Sequence, residues 1–137
     1  MATPQRSQVH EYRKNAVNGA SPLQLIIMLY DGALRFMEAG KTAMQSNDLY
    51  NQNLNLQRAQ RIVTELISCL DMKQGGEIAQ NLFGLYSFIY NQLVAANIED
   101  RAEYIDQCLQ VMQELRTTWS ELEQSLRTPV SEEPLAA

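Results

Sequence analysis

Few side chains in this sequence could carry acid–base or nucleophilic chemistry. The single histidine, His10, lies in an N-terminal stretch without a sustained hydrophobic pattern. The two cysteines, Cys69 and Cys108, fall within helical patterns and do not form a CxxC pair. Because the sequence begins without a secretory hydrophobic region, the expected context is cytosolic, which favours buried thiols over a disulfide. A metal site in a helical bundle would require Glu-x-x-His motifs, and the sequence has none.

Motifs that bind phosphate groups or activate a nucleophile are missing from the sequence as well. The Gly75-Gly76 pair lies between two helical patterns, where a turn explains it better than a phosphate cradle does. Acidic residues such as Glu38, Glu65 and Glu114 fall on the predicted solvent-facing sides of helices. We therefore expect a protein that is not an enzyme and that uses no cofactor and no metal.

The composition is that of one globular domain. The chain has 137 residues, of which 45% are hydrophobic, and this length is enough for a substantial core. Lys and Arg number 11 against 16 Asp and Glu, which gives a net charge of −5. There is no basic stripe of the kind that marks a nucleic-acid site, and no apolar run approaches the ~20 residues of a membrane span. We expect a cytoplasmic protein without nucleic-acid binding or membrane insertion.

Hydrophobic residues recur at helical spacing along most of the chain. Four helices are predicted, over about 22–46, 49–72, 77–97 and from after Asp100 to before Pro129. The second helix is expected to be terminated by the Gly75-Gly76 pair, where a glycine can take the left-handed conformation of a C-cap. Short connections favour antiparallel neighbours, so the predicted fold class is all-α, an antiparallel up-down four-helix bundle with a mobile N-terminal arm. The predicted division is a mobile arm at 1–20, the bundle at 21–127 and a disordered acidic tail at 128–137.

The first predicted helix is too apolar to bury only one side. Ser21 as N-cap, Pro22 at the first helical position and Gln24 at the third predict its start through a capping box. With successive residues about 100° apart, its polar residues occupy a sector of only roughly 60°. A surface helix usually shows a single apolar stripe of about 100°, so this helix needs cover on two sides.

The third predicted helix carries a second apolar stripe beside the one assigned to the core. The core stripe comprises Ile78, Leu82, Leu85, Ile89, Leu93 and Ala96. The second stripe, about 100° away, comprises Phe83, Tyr86, Tyr90 and Val94. Two explanations stay open. A bundle helix touches two neighbours and widens its stripe, or the extra faces of helices one and three meet in a groove for a partner segment.

Aromatic residues and methionine suit a binding groove because they anchor and adapt at interfaces. On the first helix, Leu25, Met28 and Phe36 lie towards the solvent-side margin of the apolar surface. Tyr12 and Val17 are the expected anchors of the N-terminal arm, which could cover the groove when it is empty. The predicted partner-binding residues are Tyr12, Val17, Leu25, Met28, Phe36, Phe83, Tyr86, Tyr90 and Val94.

Several segments, in this order and spacing, resemble the bacterial flagellin export chaperone family, FliS. The segments in the N-terminal half are Tyr12-Arg13-Lys14-Asn15-Ala16-Val17, Ala20-Ser21-Pro22, Leu29-Tyr30-Asp31-Gly32-Ala33 and Ala59-Gln60-Arg61-Ile62-Val63-Thr64-Glu65-Leu66. Those in the C-terminal half are Gly75-Gly76-Glu77-Ile78-Ala79-Gln80-Asn81-Leu82, Leu85-Tyr86, Ala95-Ala96-Asn97 and Leu115-Arg116-Thr117-Thr118-Trp119. The resemblance covers about residues 12–122. The stretch before Tyr12 and the tail after Arg127 match nothing in the family pattern.

The resemblance implies an antiparallel helical bundle that binds newly made flagellin in the cytoplasm. Such chaperones hold the C-terminal segment of flagellin, prevent premature polymerisation and assist delivery to the flagellar type III secretion apparatus. In the family an N-terminal tyrosine arm shields part of the binding surface, a role that would fall on Tyr12. Other flagellar regulators or export components are partners in some bacteria. The alternative function is a structural or regulatory homodimeric bundle, and a weak homodimer is also open for the chaperone itself.

Overall fold

The structure, a computed structural model, describes residues 20–127. These residues form four α-helices. Helix α1 spans Pro22–Gln45, α2 Leu49–Ser68, α3 Gly76–Glu99 and α4 Ala102–Arg127. The predicted tail at 128–137 lies outside the described residues, as does the predicted arm apart from residue 20.

The four helices close into a bundle in which α1 and α3 stand at diagonal corners. Helix α1 packs against α2 and α4, and α3 packs against the same two helices. Because the connections are short, successive helices run antiparallel. The predicted all-α, up-down four-helix bundle is confirmed. Within residues 20–127, no helix combines the length and apolarity needed to cross a bilayer.

The core draws large apolar side chains from every helix. Met37 of α1, Leu56 of α2, Leu93 of α3 and Met112 of α4 are fully buried. Burying such a side chain stabilises the fold by about 1.5–3 kcal/mol, so the bundle rests mainly on this interior.

Helix α1 begins as its sequence predicts. The backbone N–H of Gln24 donates to Ser21 Oγ at 3.1 Å, and the Ser21 N–H donates to Gln24 Oε1 at 2.9 Å. The capping box satisfies two backbone donors that an open helix end would leave unpaired.

Helix α2 is shorter than predicted because it ends at Ser68 rather than near residue 72. The Ser68 hydroxyl donates to the Glu65 carbonyl at 2.7 Å. Beyond it, the Asp71 carboxylate accepts the backbone N–H groups of Lys73 and Gln74, which stabilises a turn instead of further helix. The expected left-handed glycine is Gly76, with φ of 53°, but it starts α3 and does not cap α2.

The two cysteines have different surroundings. Cys108 is buried and Cys69 is exposed, and no disulfide joins them. The prediction of a buried thiol is therefore confirmed for Cys108 and wrong for Cys69. Burial raises the pKa of the Cys108 thiol to about 12, so this thiol stays protonated.

Candidate functional site

A groove of about 430 Å³ lies between α2 and α3. We call it the α2–α3 groove. One wall comes from α2 and the other from the C-terminal half of α3. Its lining residues are Gln57, Gln60, Arg61, Thr64, Tyr90, Val94, Asn97 and Ile98.

The α3 wall is largely apolar and includes two predicted binding residues, Tyr90 and Val94. Phe83, seven residues before Tyr90, belongs to the same side of the helix, and 46% of its surface is exposed. Ile98 extends this wall because α3 continues to Glu99, beyond the predicted end near residue 97. The structure thus brings three of the four members of the predicted second stripe to one side of α3.

Tyr86, the fourth member, was predicted to bind a partner, and this prediction is corrected. It is only 2% exposed and belongs to the core. Its hydroxyl lies 2.6 Å from the hydroxyl of Tyr30 on α1. The Trp119 indole N–H of α4 donates to the same Tyr30 hydroxyl at 3.1 Å. Burial raises the pKa of both tyrosines, so they remain neutral. Tyr86 therefore links three helices and presents almost no surface to a partner.

The α2 wall of the groove is polar. The Thr64 hydroxyl donates to the Gln60 carbonyl at 3.1 Å, and the Gln57 amide donates to Asn53 Oδ1 at 3.1 Å. A groove with one apolar wall and one hydrogen-bonding wall suits an amphipathic helix or a partly extended segment of a partner. None of these α2 residues was among the predicted binding residues.

The candidate residues of α1 lie away from this groove. Leu25 is half-buried, and Met28 is 39% exposed. Phe36 is half-buried, with the guanidinium groups of Arg35 and Arg58 at 5.8 and 5.6 Å from its ring centroid. Since α1 and α3 are diagonal in the bundle, their extra apolar faces do not meet in one groove. The expectation of a single groove shared by helices one and three is wrong.

Helix α3 also exposes apolar residues on its other flank. Gln92 donates to Gln107 of α4, so Phe88, one turn earlier, lies on the side towards α4. Phe88 is 43% exposed, and Ile78 and Leu85, both predicted for the core, are 71% and 37% exposed. The low polarity of both flanks was visible in the sequence, but the helical period alone did not separate them.

One acidic residue was assigned to the wrong environment. Glu65 was predicted to face solvent, yet it is 2% exposed, and neither carboxylate oxygen has a hydrogen-bond partner. Burial raises the pKa of its carboxyl group to about 7, because a charge is poorly solvated there.

The sequence of this chain is similar to those of flagellar proteins from several bacteria. A family model described as "Flagellar protein FliS" matches residues 5–126. The chain is 33% identical over 121 residues to a protein of Vibrio cholerae named flagellar secretion chaperone FliS, covering 85% of this chain and 89% of that one. A protein of the same name from Campylobacter jejuni is 36% identical over 111 residues, covering 81% and 87% of the two chains. The Bacillus subtilis protein of that name is 32% identical over 116 residues, covering 85% and 86%.

A solved structure described as a flagellar chaperone from bacteria superposes with a TM-score of 0.72. It covers 89% of this chain and 99% of its own, at 21% sequence identity. At this identity the likeness supports the helical fold alone, whereas the sequence relatives carry the family assignment.

Proposed function

This chain belongs to the FliS family of flagellar proteins, and from that membership we propose that it is a secretion chaperone for flagellin. In this role it binds the C-terminal segment of flagellin in the cytoplasm, prevents premature polymerisation and assists delivery to the flagellar type III secretion apparatus. The relatives from three bacteria carry the name flagellar secretion chaperone, which supports the chaperone role. The identity of the bound segment follows from what the family resemblance implies.

The α2–α3 groove is the observation that carries the proposal for where the guest binds. Its volume of about 430 Å³ is within the ~300–1,000 Å³ of pockets that enclose ligands. Phe83, Tyr90 and Val94 offer apolar anchors along α3, and the α2 amides offer hydrogen bonds opposite them. A segment that orders on binding pays roughly 2–5 kcal/mol or more for that ordering. A row of separate anchors can offset this cost and still permit release.

The remaining predicted binding residues extend this proposal to other parts of the molecule. Leu25, Met28 and Phe36 form a second contact region on α1, reached by a guest that wraps around the bundle. Tyr12 and Val17 lie outside the described residues, and we retain them as anchors of an arm that competes with the guest. Other flagellar regulators or export components are further candidate partners.

Two phenylalanines of α3 provide a matched test of the binding site. Phe83 is 46% exposed on the α2 side, and Phe88 is 43% exposed on the α4 side. In an isothermal titration with a flagellin C-terminal peptide, Phe83→Asp should weaken binding about tenfold or more, because an aromatic anchor is lost. Phe88→Asp, with the same chemical change on the same helix, should bind like the wild type.

Helical circular dichroism should be unchanged in both variants, since both rings are largely outside the core. Equal affinities for wild type and Phe83→Asp, or a larger loss for Phe88→Asp, would remove the α2–α3 groove as the guest site. If the wild type itself does not bind the peptide, the proposed guest is wrong.

Sedimentation velocity separates the chaperone from the homodimeric alternative. A chaperone should shift to a one-to-one complex when the flagellin peptide is added at micromolar concentration. A tight dimer that is indifferent to the peptide would favour a structural or regulatory bundle.

A further inference from the structure

Glu65 belongs to a row of α2 residues that faces α1. Arg58, Ile62 and Glu65 follow at spacings of four and three, which keeps them on one side of a helix. The Arg58 guanidinium lies 5.6 Å from the ring centroid of Phe36. A Cβ built on Gly32 would lie 3.0 Å from Ile62 Cδ1. Both members of the row that precede Glu65 thus contact α1.

The antiparallel arrangement and the helical spacing predict the same contact with α1 for Glu65. One further turn along α2 corresponds to one turn earlier on α1, where Met28 and Leu29 lie. The Glu65 residue is 2% exposed there, and both of its carboxylate oxygens lack hydrogen-bond partners. An unpaired buried carboxylate is far more costly than the neutral acid, which carries no net charge to desolvate.

Burial, and no neighbouring charge, accounts for the raised pKa of Glu65. The guanidinium groups of Arg35 and Arg58 are directed to the Phe36 ring, and Arg61 lines the α2–α3 groove. The charged and titratable groups on the adjoining turns of α1, α2 and α3 are Tyr30, Asp31, Arg35, Arg58, Arg61, Cys69 and Tyr86. Of these, Tyr30 is hydrogen-bonded to Tyr86 and Trp119, and Asp31 is paired with Arg116 of α4.

We propose that Glu65 is a proton-linked latch between α1 and α2. At acidic pH its carboxyl group stays protonated while the two helices are packed together, and it ionises when α1 moves away and water reaches it. The latch therefore favours the packed bundle at acidic pH and favours separation of α1 from α2 as the pH rises. This inference concerns the bundle itself and does not depend on the identity of the guest.

The direction of the pH dependence follows from proton linkage. The pKa of the carboxyl group is about 7 in the folded protein against 4.5 for the ordinary group. The folded state therefore binds the proton of Glu65 more tightly than the unfolded state does. The resulting gain in the free energy of unfolding is fully present below about pH 4.5. It is lost as the pH rises through about 7. When the pH rises from well below 4.5 to well above 7, the unfolding equilibrium constant increases by about 300-fold for this reason.

Urea denaturation of the full chain at two pH values tests the latch. Between about pH 5.5 and 8.5, the unfolding equilibrium constant of the wild type should rise about 30-fold more than that of Glu65→Gln. Glu114→Gln makes the same chemical change at an exposed position of α4 and should keep the wild-type dependence. Parallel pH profiles for wild type and Glu65→Gln would overturn the proposal.

Hydrogen exchange tests whether the pH dependence arises between α1 and α2. At about pH 8.5 the amides of α1 from Leu25 to Gly32 should exchange more slowly in Glu65→Gln than in the wild type, and at about pH 5.5 the difference should disappear. Should the variant fold poorly, carbon-13 NMR titration of the Glu65 carboxyl group in the wild type gives the answer directly. A midpoint near 4.5 would exclude a latch, and a midpoint near 7 would support it.

Discussion

The Tyr30 hydroxyl is the point at which three helices share hydrogen bonds inside an apolar core. It faces Tyr86 of α3 at 2.6 Å and accepts from Trp119 of α4 at 3.1 Å. The two tyrosine rings also meet edge to face, with centroids 6.3 Å apart. Aromatic pairs of this kind add about 0.5–1.5 kcal/mol beyond their burial, so the cluster stabilises one particular arrangement of the helices.

Removing the two hydroxyls one at a time should destabilise the fold by different amounts, because Tyr30 takes part in more hydrogen bonds than Tyr86. Tyr30→Phe leaves the Trp119 N–H and the Tyr86 hydroxyl without their partner, and we expect it to destabilise the fold by about 2–3 kcal/mol. Tyr86→Phe leaves the Trp119 to Tyr30 bond intact and should cost about 1 kcal/mol. Urea denaturation monitored by circular dichroism measures both values, and an equal or reversed order would contradict this geometry.

Single residues were the hardest feature to predict from the sequence. Tyr86 shares the spacing of Phe83, Tyr90 and Val94, but its hydroxyl finds Tyr30, fifty-six positions away in the chain. Helical periodicity shows that aromatic residues recur along one side of a helix. It does not show whether such a side chain has a buried hydrogen-bond partner on another helix. The same limit applied to Glu65, because its burial depends on the side of α2 against which α1 packs. Phe83, Tyr90 and Val94 were predicted to share a side, and the structure places them together.

At the scale of the elements, glycine allows α1 and α2 to approach closely. A Cβ on Gly40 would lie 2.6 Å from Leu56 Cδ2 and 2.9 Å from Leu56 Cγ. Leu56 is fully buried, so its side chain can move only by displacing the closely packed side chains around it. Gly84, in the middle of α3, has nothing within 4 Å of the corresponding position.

Replacement of these two glycines by alanine should therefore have opposite effects. Gly40→Ala should be destabilising, since overpacking costs about 1–3 kcal/mol and the gain in helix propensity is at most about 1 kcal/mol. Gly84→Ala gains the propensity without a steric cost and should stabilise the fold by about 0.5–1 kcal/mol. Thermal or urea denaturation measures both, and stabilisation by Gly40→Ala would show that α1 and α2 are less tightly packed than described.

The helices themselves could be predicted well because their signals are local. The Ser21 capping box and the hydrophobic repeat place the start of α1 at Pro22, and the structure has it there. The end of α2 was missed because the Asp71 turn uses side-chain hydrogen bonds that compete with the helix. The sequence showed apolar residues on through Leu70 and Met72, and only the backbone shows that they follow the last helical turn.

At the scale of the whole molecule, the arrangement of helices divides the apolar surface into separate regions. Helices α1 and α3 are diagonal, so the surface near Met28 and the α2–α3 groove face different directions. A guest that uses both must follow the outside of the bundle, which suits an extended chain with several short contact segments. The N-terminal arm is attached to α1 and would compete with such a guest at high local concentration.

Competition by the arm predicts a gain in binding when the arm is removed. Deletion of residues 1–17 should accelerate and strengthen binding of the flagellin C-terminal peptide. If the arm covers the guest site nine-tenths of the time, the apparent affinity of the intact chain is lower by about tenfold. Stopped-flow association and calorimetry measure both quantities. Tyr12→Ser in the full chain should reproduce much of the gain, and His10→Ala, two residues away, should leave binding unchanged. A marked loss of affinity on deletion would make the arm part of the binding site, and unchanged rates would remove Tyr12 and Val17 from it.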